Sequence, residues 1–175
     1  LLAHRNMKES QANKALVDAV SDMEGVAVFN LYELSQEIAF NVDEWSKIIS
    51  DASAVIYQFP FYWMSAPSLL KKWQDEVFTF LSKTPAVAGK SLTVVTTTGS
   101  EYEAYRSGGR NRFTMDELLR PYQVSAIHSG MSWQTPIVVY GMGTADAGKN
   151  IAEGANLYKQ RVEMLIGSSN AGNNW

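Results

Sequence analysis

The sequence predicts a single doubly wound α/β domain built on a parallel β-sheet, spanning residues 1–175. Short, β-branched-rich apolar runs recur along the chain, and segments with helical spacing of apolar residues lie between them. The composition, 46% hydrophobic and 19% charged over 175 residues, is that of a chain long enough for one sizeable core. Strand and helix therefore alternate around one sheet.

Five apolar runs are predicted to be strands. They are mostly apolar on both faces, which is typical of parallel strands covered by helices on both sides. The runs cover residues 1–3, 25–31, 52–59, 91–98 and 135–142. The chain length and the number of strands favour the flavodoxin-like order 2-1-3-4-5.

Five helices are predicted between and after these strands, at residues 11–23, 43–51, 67–81, 114–130 and 150–166. In the third helix, Pro67 suits the first turn, where its missing N–H has no helical partner. Its core face is predicted from helical spacing to comprise Leu70, Trp73, Val77 and Phe80.

The fourth helix carries both a start signal and an interruption. Thr114 and Glu117 have the spacing of a capping box, and Pro121 follows within the same predicted helix. Because proline removes a helical hydrogen bond, we expect a kink or a restart at Pro121. His128 is expected to be a helix-end residue.

Charge and composition exclude several classes of function. The net charge of −3 and the scattered Lys and Arg residues argue against a nucleic-acid partner. The chain has no cysteine and no apolar run near the ~20 residues of a membrane span, so a cytoplasmic location is expected. Two histidines far apart in sequence predict no metal site. Since "LLAH" looks like the end of a strand, a few further residues are expected to precede Leu1.

Three unusual loops follow predicted strands one, three and four, and ligands bind beside the carboxyl ends of such strands. The first loop has His4 and then Ser10 and Asn13 at a helix mouth, which is a natural anion site. The second, "PFYWMSAP", is rich in aromatic residues, and the third, "TTTGS", supplies hydroxyl groups around Gly99. A phosphorylated, planar heteroaromatic ligand fits this combination, and a flavin fits it best.

Each signal also has a structural alternative. His4 could be a surface histidine, the aromatic cluster could be core, and Gly99 could only shape a turn. The "AGKS" segment at 88–91 is rejected as a P-loop because Thr84 stands where the first glycine belongs. "GMGTADAG" is rejected as a dinucleotide fingerprint because Asp146 occupies the third glycine position.

Five stretches carry a family resemblance: "AH...SQAN", "VIYQFPFYWMSAPSLLKKWQDEVF", "TTTGSEYEAY", "RNRFTMDELLRPYQVSAIHSGM" and "VVYGM". The chain resembles the flavodoxin-like NAD(P)H:quinone oxidoreductases, the DT-diaphorase-like family, and most of all its short bacterial members. Those include the oxidoreductases that accompany glutathione-gated potassium efflux channels. The sequence departs from the family's usual pattern at His4-Arg5, at Gly99-Ser100 and in a short segment between Val77 and Gly89.

The resemblance implies a set of site residues. The residues implied to surround the flavin phosphate are His4, Ser10, Ala12 and Asn13. Those implied to lie along the flavin ring are Pro60, Phe61, Tyr62 and Trp63. Those implied to close the other edge of the flavin ring are Thr97, Thr98, Gly99 and Ser100. Tyr105 matches the family's active-site tyrosine, and the candidates for stacking on substrates are Trp63, Tyr102 and Phe113. A homodimer is implied, with the aromatic loop and residues 101–113 at its interface.

The function predicted from these observations is two-electron transfer from NADH or NADPH, through FMN or FAD, to a quinone or similar acceptor by a ping-pong mechanism. Two alternatives remain. A flavin-binding, redox-sensing subunit of a membrane channel would have the same sequence features. A one-electron flavodoxin-type carrier would share the fold, but such carriers are usually more acidic and lack this aromatic loop.

Overall fold

The fold was analysed in a computed structural model, which describes residues 1–34 and 39–172, with side chains described up to residue 168. Its central strands are β1 (Ala54–Pro60) and β2 (Ser91–Thr97), which pair in parallel from Ala54 opposite Ser91 to Pro60 opposite Thr97. β2 also pairs in parallel with β3 (Ser132–Trp133) and β4 (Ile137–Val139). The parallel sheet that the sequence predicts is therefore present.

The first two predicted strands, 1–3 and 25–31, are single bridges rather than strands. Leu2 makes parallel bridges to Asn30 and to Gln58 of β1. The described residues form four strands, and the five-stranded order 2-1-3-4-5 stays a prediction.

Helices occur in all five predicted segments with shifted ends, and one further short helix, α2 (Leu31–Leu34), was not predicted. They are α1 (Gln11–Asp18), α2 (Leu31–Leu34), α3 (Val42–Asp51), α4 (Ser68–Trp73), α5 (Thr79–Leu81), α6 (Met115–Leu118), α7 (Arg120–His128) and α8 (Ala147–Gly172). A π-helical turn (Gln74–Phe78) joins α4 to α5, and a 3₁₀ turn (Tyr102–Tyr105) follows β2. Within the described ranges, no helix combines the length and apolarity required to cross a membrane.

The π-helical turn corrects the predicted core face of the third helix. Leu70, Trp73 and Val77 are buried as predicted, but Phe80 is 59% exposed. A π-helical turn adds a residue to the helical repeat, so the inward face moves by about one position after Val77. Phe78 and Leu81 are buried in place of Phe80.

The predicted interruption near Pro121 is confirmed. Thr114 and Glu117 form the complete capping box at the start of α6. α6 ends at Leu118, and α7 restarts at Arg120 with Pro121 in its first turn. His128 is the last residue of α7, as expected.

Buried residues form two apolar clusters, one on each side of the sheet. One cluster contains Tyr57, Phe59 and Trp73, and the other contains Leu16 of α1, Val95 of β2 and Tyr158 of α8. α1 and α8 contact each other, and a Cβ at Gly154 of α8 would lie 2.4 Å from Val139 Cγ2 of β4. This layered packing brings the carboxyl ends of β1, β2 and β4 to one edge of the sheet.

Candidate functional site

A cleft of about 1180 Å³ lies at the carboxyl edge of the sheet, where the three predicted loops meet. It is lined by all but two of the predicted cofactor-binding residues: His4, Ser10, Ala12, Asn13, Pro60, Phe61, Tyr62, Trp63, Thr97, Thr98 and Gly99. The two predicted residues that do not line it are Ser100 and Tyr105. The loops therefore converge as the sequence predicts.

The N-terminus of α1 forms one end of this cleft. Ser10 caps the helix, and its Oγ accepts a hydrogen bond from the Asn13 backbone N–H at 3.1 Å. The backbone N–H groups of Gln11 and Ala12, in the first turn, have no preceding helical carbonyl to bond. These free N–H groups and the helix dipole make the cleft favourable for an anion such as a phosphate.

Asn13 connects this helix mouth to both central strands. Its Nδ2 donates to Thr97 Oγ1 at 3.2 Å, and its backbone carbonyl accepts from Gln58 Nε2 of β1 at 2.9 Å. Asn13 and Gln58 are both buried, at 2% and 3% exposure. Asn13 therefore fixes the position of the helix mouth in addition to lining the cleft.

His4 lies at the cleft as a nearly buried side chain, with 9% exposure, rather than as a surface histidine. Its Nδ1 accepts a hydrogen bond from the Asn6 backbone N–H at 3.1 Å. Burial lowers the pKa of His4 below its ordinary value of 6.5. At neutral pH His4 is therefore uncharged, with its proton on Nε2 because Nδ1 is an acceptor.

The aromatic loop divides between core and cleft margin. Phe61 is buried, whereas Tyr62 is 52% and Trp63 is 97% exposed. Tyr62 and Ser65 exchange two backbone hydrogen bonds across a tight turn, and Trp63 and Met64 at its centre have φ of 48° and 62°. Positive φ is unfavourable for such side chains, so the turn holds the Trp63 ring in solvent at some energetic cost.

The third loop is held from the opposite side by the segment after β4. Gly143 N–H donates to the Gly99 carbonyl at 2.9 Å, and Thr98 Oγ1 donates to the Ser100 carbonyl at 2.8 Å. No described atom lies within 4 Å of where a Cβ of Gly99 would stand. The missing side chain therefore leaves open space at the cleft wall.

Tyr105 lies behind this wall. It is buried, and its ring centroid is 6.3 Å from that of Phe61 and 5.9 Å from that of Tyr140. Tyr105 and the half-exposed Tyr102 line a second cavity of about 550 Å³. Phe113, 55% exposed, is not among the residues lining either cavity.

Several residues that the sequence analysis did not identify also belong to the site. Gln58 supports Asn13, and the far wall of the cleft includes Met142, Ala147 and Ile151. A polar Gln within the apolar run "VIYQFP" was the available signal for Gln58. The "GMGTADAG" segment lacks the dinucleotide fingerprint, yet it supplies Met142 and Ala147 to the cleft.

The donor set fits a phosphorylated, planar cofactor better than a metal ion. A helix N-terminus, backbone amides, hydroxyl groups and exposed rings surround the cleft. Among residues 1–34 and 39–172, no group of three or more His, Asp or Glu side chains is placed to hold a metal. The chemistry available to these residues is anion binding and stacking on an aromatic ring.

Comparisons with known proteins cover nearly the whole chain. The family described as having a flavodoxin-like fold matches residues 1–162. General stress protein 14 of Bacillus subtilis is 35% identical over 168 residues, which is 94% of this chain and 95% of that protein. The uncharacterized NAD(P)H oxidoreductase YdeQ of the same organism is 34% identical, covering 94% and 85% of the two chains.

A third relative is named as part of a transport system. It is the glutathione-regulated potassium-efflux system ancillary protein KefG of Pectobacterium atrosepticum, 34% identical over 144 residues. The match covers 80% of this chain and 79% of that protein.

Solved structures show the same fold. A structure described as a thermophilic tryptophan halogenase from Streptomycin violaceusniger has a TM-score of 0.85 and 36% identity, covering 92% of this chain and 95% of that one. General stress protein 14 of Treponema denticola, in complex with FMN, has a TM-score of 0.85 and 28% identity, with coverage of 94% and 96%. An NADPH-quinone reductase from P. pentosaceus has a TM-score of 0.78 and 27% identity, with coverage of 91% and 94%.

Proposed function

The chain belongs to the flavodoxin-like NAD(P)H:quinone oxidoreductase family, and on that premise we propose that it is a flavin-dependent NAD(P)H oxidoreductase. The observation that supports this most directly is the meeting, in one cleft, of a free helix N-terminus, the open wall at Gly99 and the exposed aromatic turn. The FMN complex of a protein with the same fold supports FMN or the larger FAD as the group bound there.

Each side of the cleft has a separate role in holding the flavin. Ser10 and the first amides of α1 hold the phosphate, and Asn13 keeps that helix mouth in register with β2. Residues 60–63 and 97–99 line the cleft, so residues 60–63 would lie along one side of the ring system and residues 97–99, followed by Ser100, would close its other edge. Because Nδ1 of the neutral His4 accepts from the Asn6 N–H, its Nε2–H would be the donor available to the phosphate, and His4 would add no charge there.

A flavin held by these residues would supply the two-electron redox chemistry of the reaction. We propose that NADH or NADPH is the donor, and that a quinone takes up the two electrons and two protons to become a hydroquinone. Trp63 stacks on the substrate rings, with Tyr102 and Phe113 at the outer side. Tyr105, which packs behind Phe61, is our candidate hydrogen-bond donor to the flavin or to the quinone oxygen.

Donor and acceptor are proposed to use the same side of the cleft in turn. Both would bind beside the one exposed turn at the cleft margin, which is centred on Trp63. Because they share this place, oxidised nicotinamide must leave before quinone enters. This order is a ping-pong mechanism. We further propose a cytoplasmic homodimer with the active site at the subunit boundary. In this dimer the exposed aromatic turn and the rings of Tyr102 and Phe113, within residues 101–113, contact the partner subunit and are protected from water.

A flavin titration and steady-state kinetics test the proposal. The purified protein is expected to bind FMN or FAD with quenching of flavin fluorescence. The flavin-loaded protein is expected to oxidise about one equivalent of NADPH or NADH without an acceptor, and to turn over repeatedly when a quinone is supplied. Double-reciprocal plots at several quinone concentrations are expected to be parallel. A protein that binds neither flavin would exclude this function, and intersecting lines would exclude the ping-pong order.

A second candidate function is favoured by the relative named as an ancillary protein of a potassium-efflux system. In this alternative the same flavin cleft senses redox state, and the chain regulates a membrane channel. Pull-down of the flavin-loaded protein against membrane fractions separates the two: retention on a channel supports the regulatory role. One structural neighbour is described as a tryptophan halogenase, so an assay for chloride-dependent chlorination of tryptophan is the control. We expect no chlorinated tryptophan in this assay.

A further inference from the structure

The segment after the 3₁₀ turn carries a local positive charge that the flavin site does not use. Arg106, Arg110 and Arg112 stand within seven residues, and no acidic residue occurs from Ala104 to Met115. All three arginines are exposed, in a chain whose net charge is −3. We call residues 106–112 the arginine loop.

The arginine loop is folded tightly on the 3₁₀ turn. The Asn111 N–H donates to the Ala104 carbonyl at 3.1 Å, and the Arg112 N–H donates to the Gly109 carbonyl at 3.0 Å. A Cβ at Gly109 would lie 2.2 Å from the Glu103 carbonyl oxygen, so only glycine permits this approach. The loop therefore presents its arginines from a fixed backbone, which lowers the entropy lost when they bind a ligand.

One arginine contacts the residue next to the cleft wall. Arg110 Nη2 donates to Ser100 Oγ at 2.7 Å, and Ser100 directly follows Gly99, which lines the cleft. The same nitrogen lies 3.4 Å from Glu101 Oε2, an exposed pair that offsets only part of its charge. Arg110 thus connects the arginine loop to the residue that follows Gly99 at the cleft wall.

The other two arginines lie further along the loop. The Arg106 guanidinium carbon is 5.2 Å from the centroid of the Tyr102 ring, and Arg106 Nη1 donates to the Tyr102 hydroxyl at 3.2 Å. Arg112, with φ of 62°, makes no ion pair with any residue for which the structure gives a position. Arg106 and Arg112 thus keep guanidinium N–H groups for an anionic ligand.

We propose that Arg106, Arg110 and Arg112 bind the 2′-phosphate of the reductant, so that the protein prefers NADPH to NADH. This deepens the proposed function and rests on it. In this proposal the nicotinamide binds in the cleft near Gly99, and the adenosine half lies outside it toward Arg110, which donates to the neighbouring Ser100. Arginine matches phosphate geometry with paired N–H donors, and it is the side chain suited to the 2′-phosphate that distinguishes the two nucleotides.

Calorimetry with 2′,5′-ADP and 5′-AMP tests the site without any turnover. The flavin-loaded protein is expected to bind 2′,5′-ADP at least about tenfold more tightly than 5′-AMP, which is the effect of one charge-assisted hydrogen bond. The variants Arg106→Gln, Arg110→Gln and Arg112→Gln, made singly and together, are expected to lose this preference. Circular dichroism checks that each variant is folded.

Kinetics give a second readout. In the same variants the ratio of KM for NADPH to KM for NADH is expected to rise by about tenfold for each lost charge-assisted bond. The matched control is Arg120→Gln on α7, where the exposed Arg120 donates to Gln123 Oε1 at 2.8 Å outside the cleft lining. That variant is expected to leave both nucleotides' KM values unchanged.

The outcomes separate this inference from the proposed function. Equal affinity for 2′,5′-ADP and 5′-AMP, or a triple variant that keeps the wild-type preference, would overturn the arginine site while flavin binding and turnover with NADH stand. A protein that binds no flavin and oxidises neither nucleotide would overturn the proposed function. Arginine-dependent binding of 2′,5′-ADP in that case would still support the phosphate site.

Discussion

The side-chain amide of Asn13 donates to Thr97 Oγ1 at 3.2 Å, although the two residues are 84 positions apart in sequence. This bond joins the mouth of α1 to the end of β2, and Gln58 of β1 donates to the backbone of the same asparagine. The candidate anion site at the N-terminus of α1 therefore depends on a buried polar network that spans both central strands. A site of this kind couples ligand binding to the packing of the sheet.

Substitutions at this candidate anion site, at the N-terminus of α1, are expected to lower flavin affinity and folding stability by different amounts. Ser10→Ala removes the helix cap and one phosphate partner, so we expect a loss of about 1 kcal/mol in stability and about 1.5–3 kcal/mol in flavin affinity. Asn13→Leu removes the bond from Asn13 Nδ2 to Thr97 Oγ1 and the longer bond from Gln58 Nε2 to Asn13 Oδ1, while Gln58 keeps its bond to the backbone carbonyl of residue 13. Because the buried Thr97 hydroxyl then lacks this partner, the variant is expected to lower the free energy of unfolding by about 1–3 kcal/mol as well. Flavin fluorescence titration and urea unfolding measure the two effects. Unchanged flavin affinity in both variants would place the phosphate elsewhere.

His4 is expected to make folding sensitive to acid. Because its pKa in the folded protein lies below 6.5, the folded state binds fewer protons than the unfolded state as the pH falls through that value. Its stabilisation is thus complete above 6.5 and decreases toward the lowered pKa. His4→Asn keeps an acceptor for the Asn6 N–H and removes the titration, so the decrease in urea stability between about pH 7.5 and about pH 5 should be smaller in this variant. An equal decrease in the variant and the native protein would show that other groups cause it.

Two glycines of α8 are expected to respond in opposite directions to alanine. A Cβ at Gly154 would lie 2.4 Å from Val139 Cγ2, and a branched side chain on a buried strand has little freedom to move away. Overpacking of about 1–3 kcal/mol outweighs the helix-propensity gain of about 1 kcal/mol, so Gly154→Ala should lower stability. The matched control is Gly167→Ala, where the Cβ meets no described atom within 4 Å and stability should rise by up to about 1 kcal/mol. Thermal unfolding of both variants distinguishes the two sites.

The positive φ of Met64, in the turn at Trp63 and Met64, is expected to cost stability that a glycine would restore. Met64 has φ of 62°, a conformation that glycine adopts without a steric penalty, so Met64→Gly should stabilise the protein by about 1 kcal/mol. Met164→Gly is the control: Met164 is exposed on α8, and glycine in a helix should lower stability by about 1 kcal/mol. Urea unfolding tests both. A loss of stability in Met64→Gly would mean that the Met64 side chain contributes more than the strain costs.

Much of the site could be predicted because the loops that follow parallel strands lie at the same edge of the sheet. Once the apolar runs are interpreted as parallel strands separated by helices, the loops after β1 and β2 must lie at one edge of the sheet. The loop that carries His4 lies there as well, because Leu2 bridges to Gln58 of β1. The structure accordingly brings His4, Trp63 and Gly99 to the same cleft. The capping box at Thr114 and the restart near Pro121 were equally predictable, because they depend on residues within one helical turn.

Side-chain orientation within the predicted elements was less predictable. Phe61 and Trp63 are two residues apart in one aromatic loop, yet one is buried and the other is 97% exposed, because the tight turn closed by Tyr62 and Ser65 begins between them. Phe80 is exposed because a π-helical turn changes the helical repeat after Trp73. Neither feature follows from hydrophobic spacing, which assumes a regular repeat.

By itself the sequence determined the alternation of strands and helices, the helix start signals and the identity of the three loops that form the cleft. These depend on local sterics and on the spacing of apolar residues, which a short stretch of chain contains in full. Only the tertiary structure decided that Gln58 supports Asn13, that Tyr105 lies behind the cleft wall and that Arg110 reaches Ser100. Those contacts depend on strand register and loop closure, which arise when distant parts of the chain pack together, and the hydrophobic pattern of any one segment does not encode them.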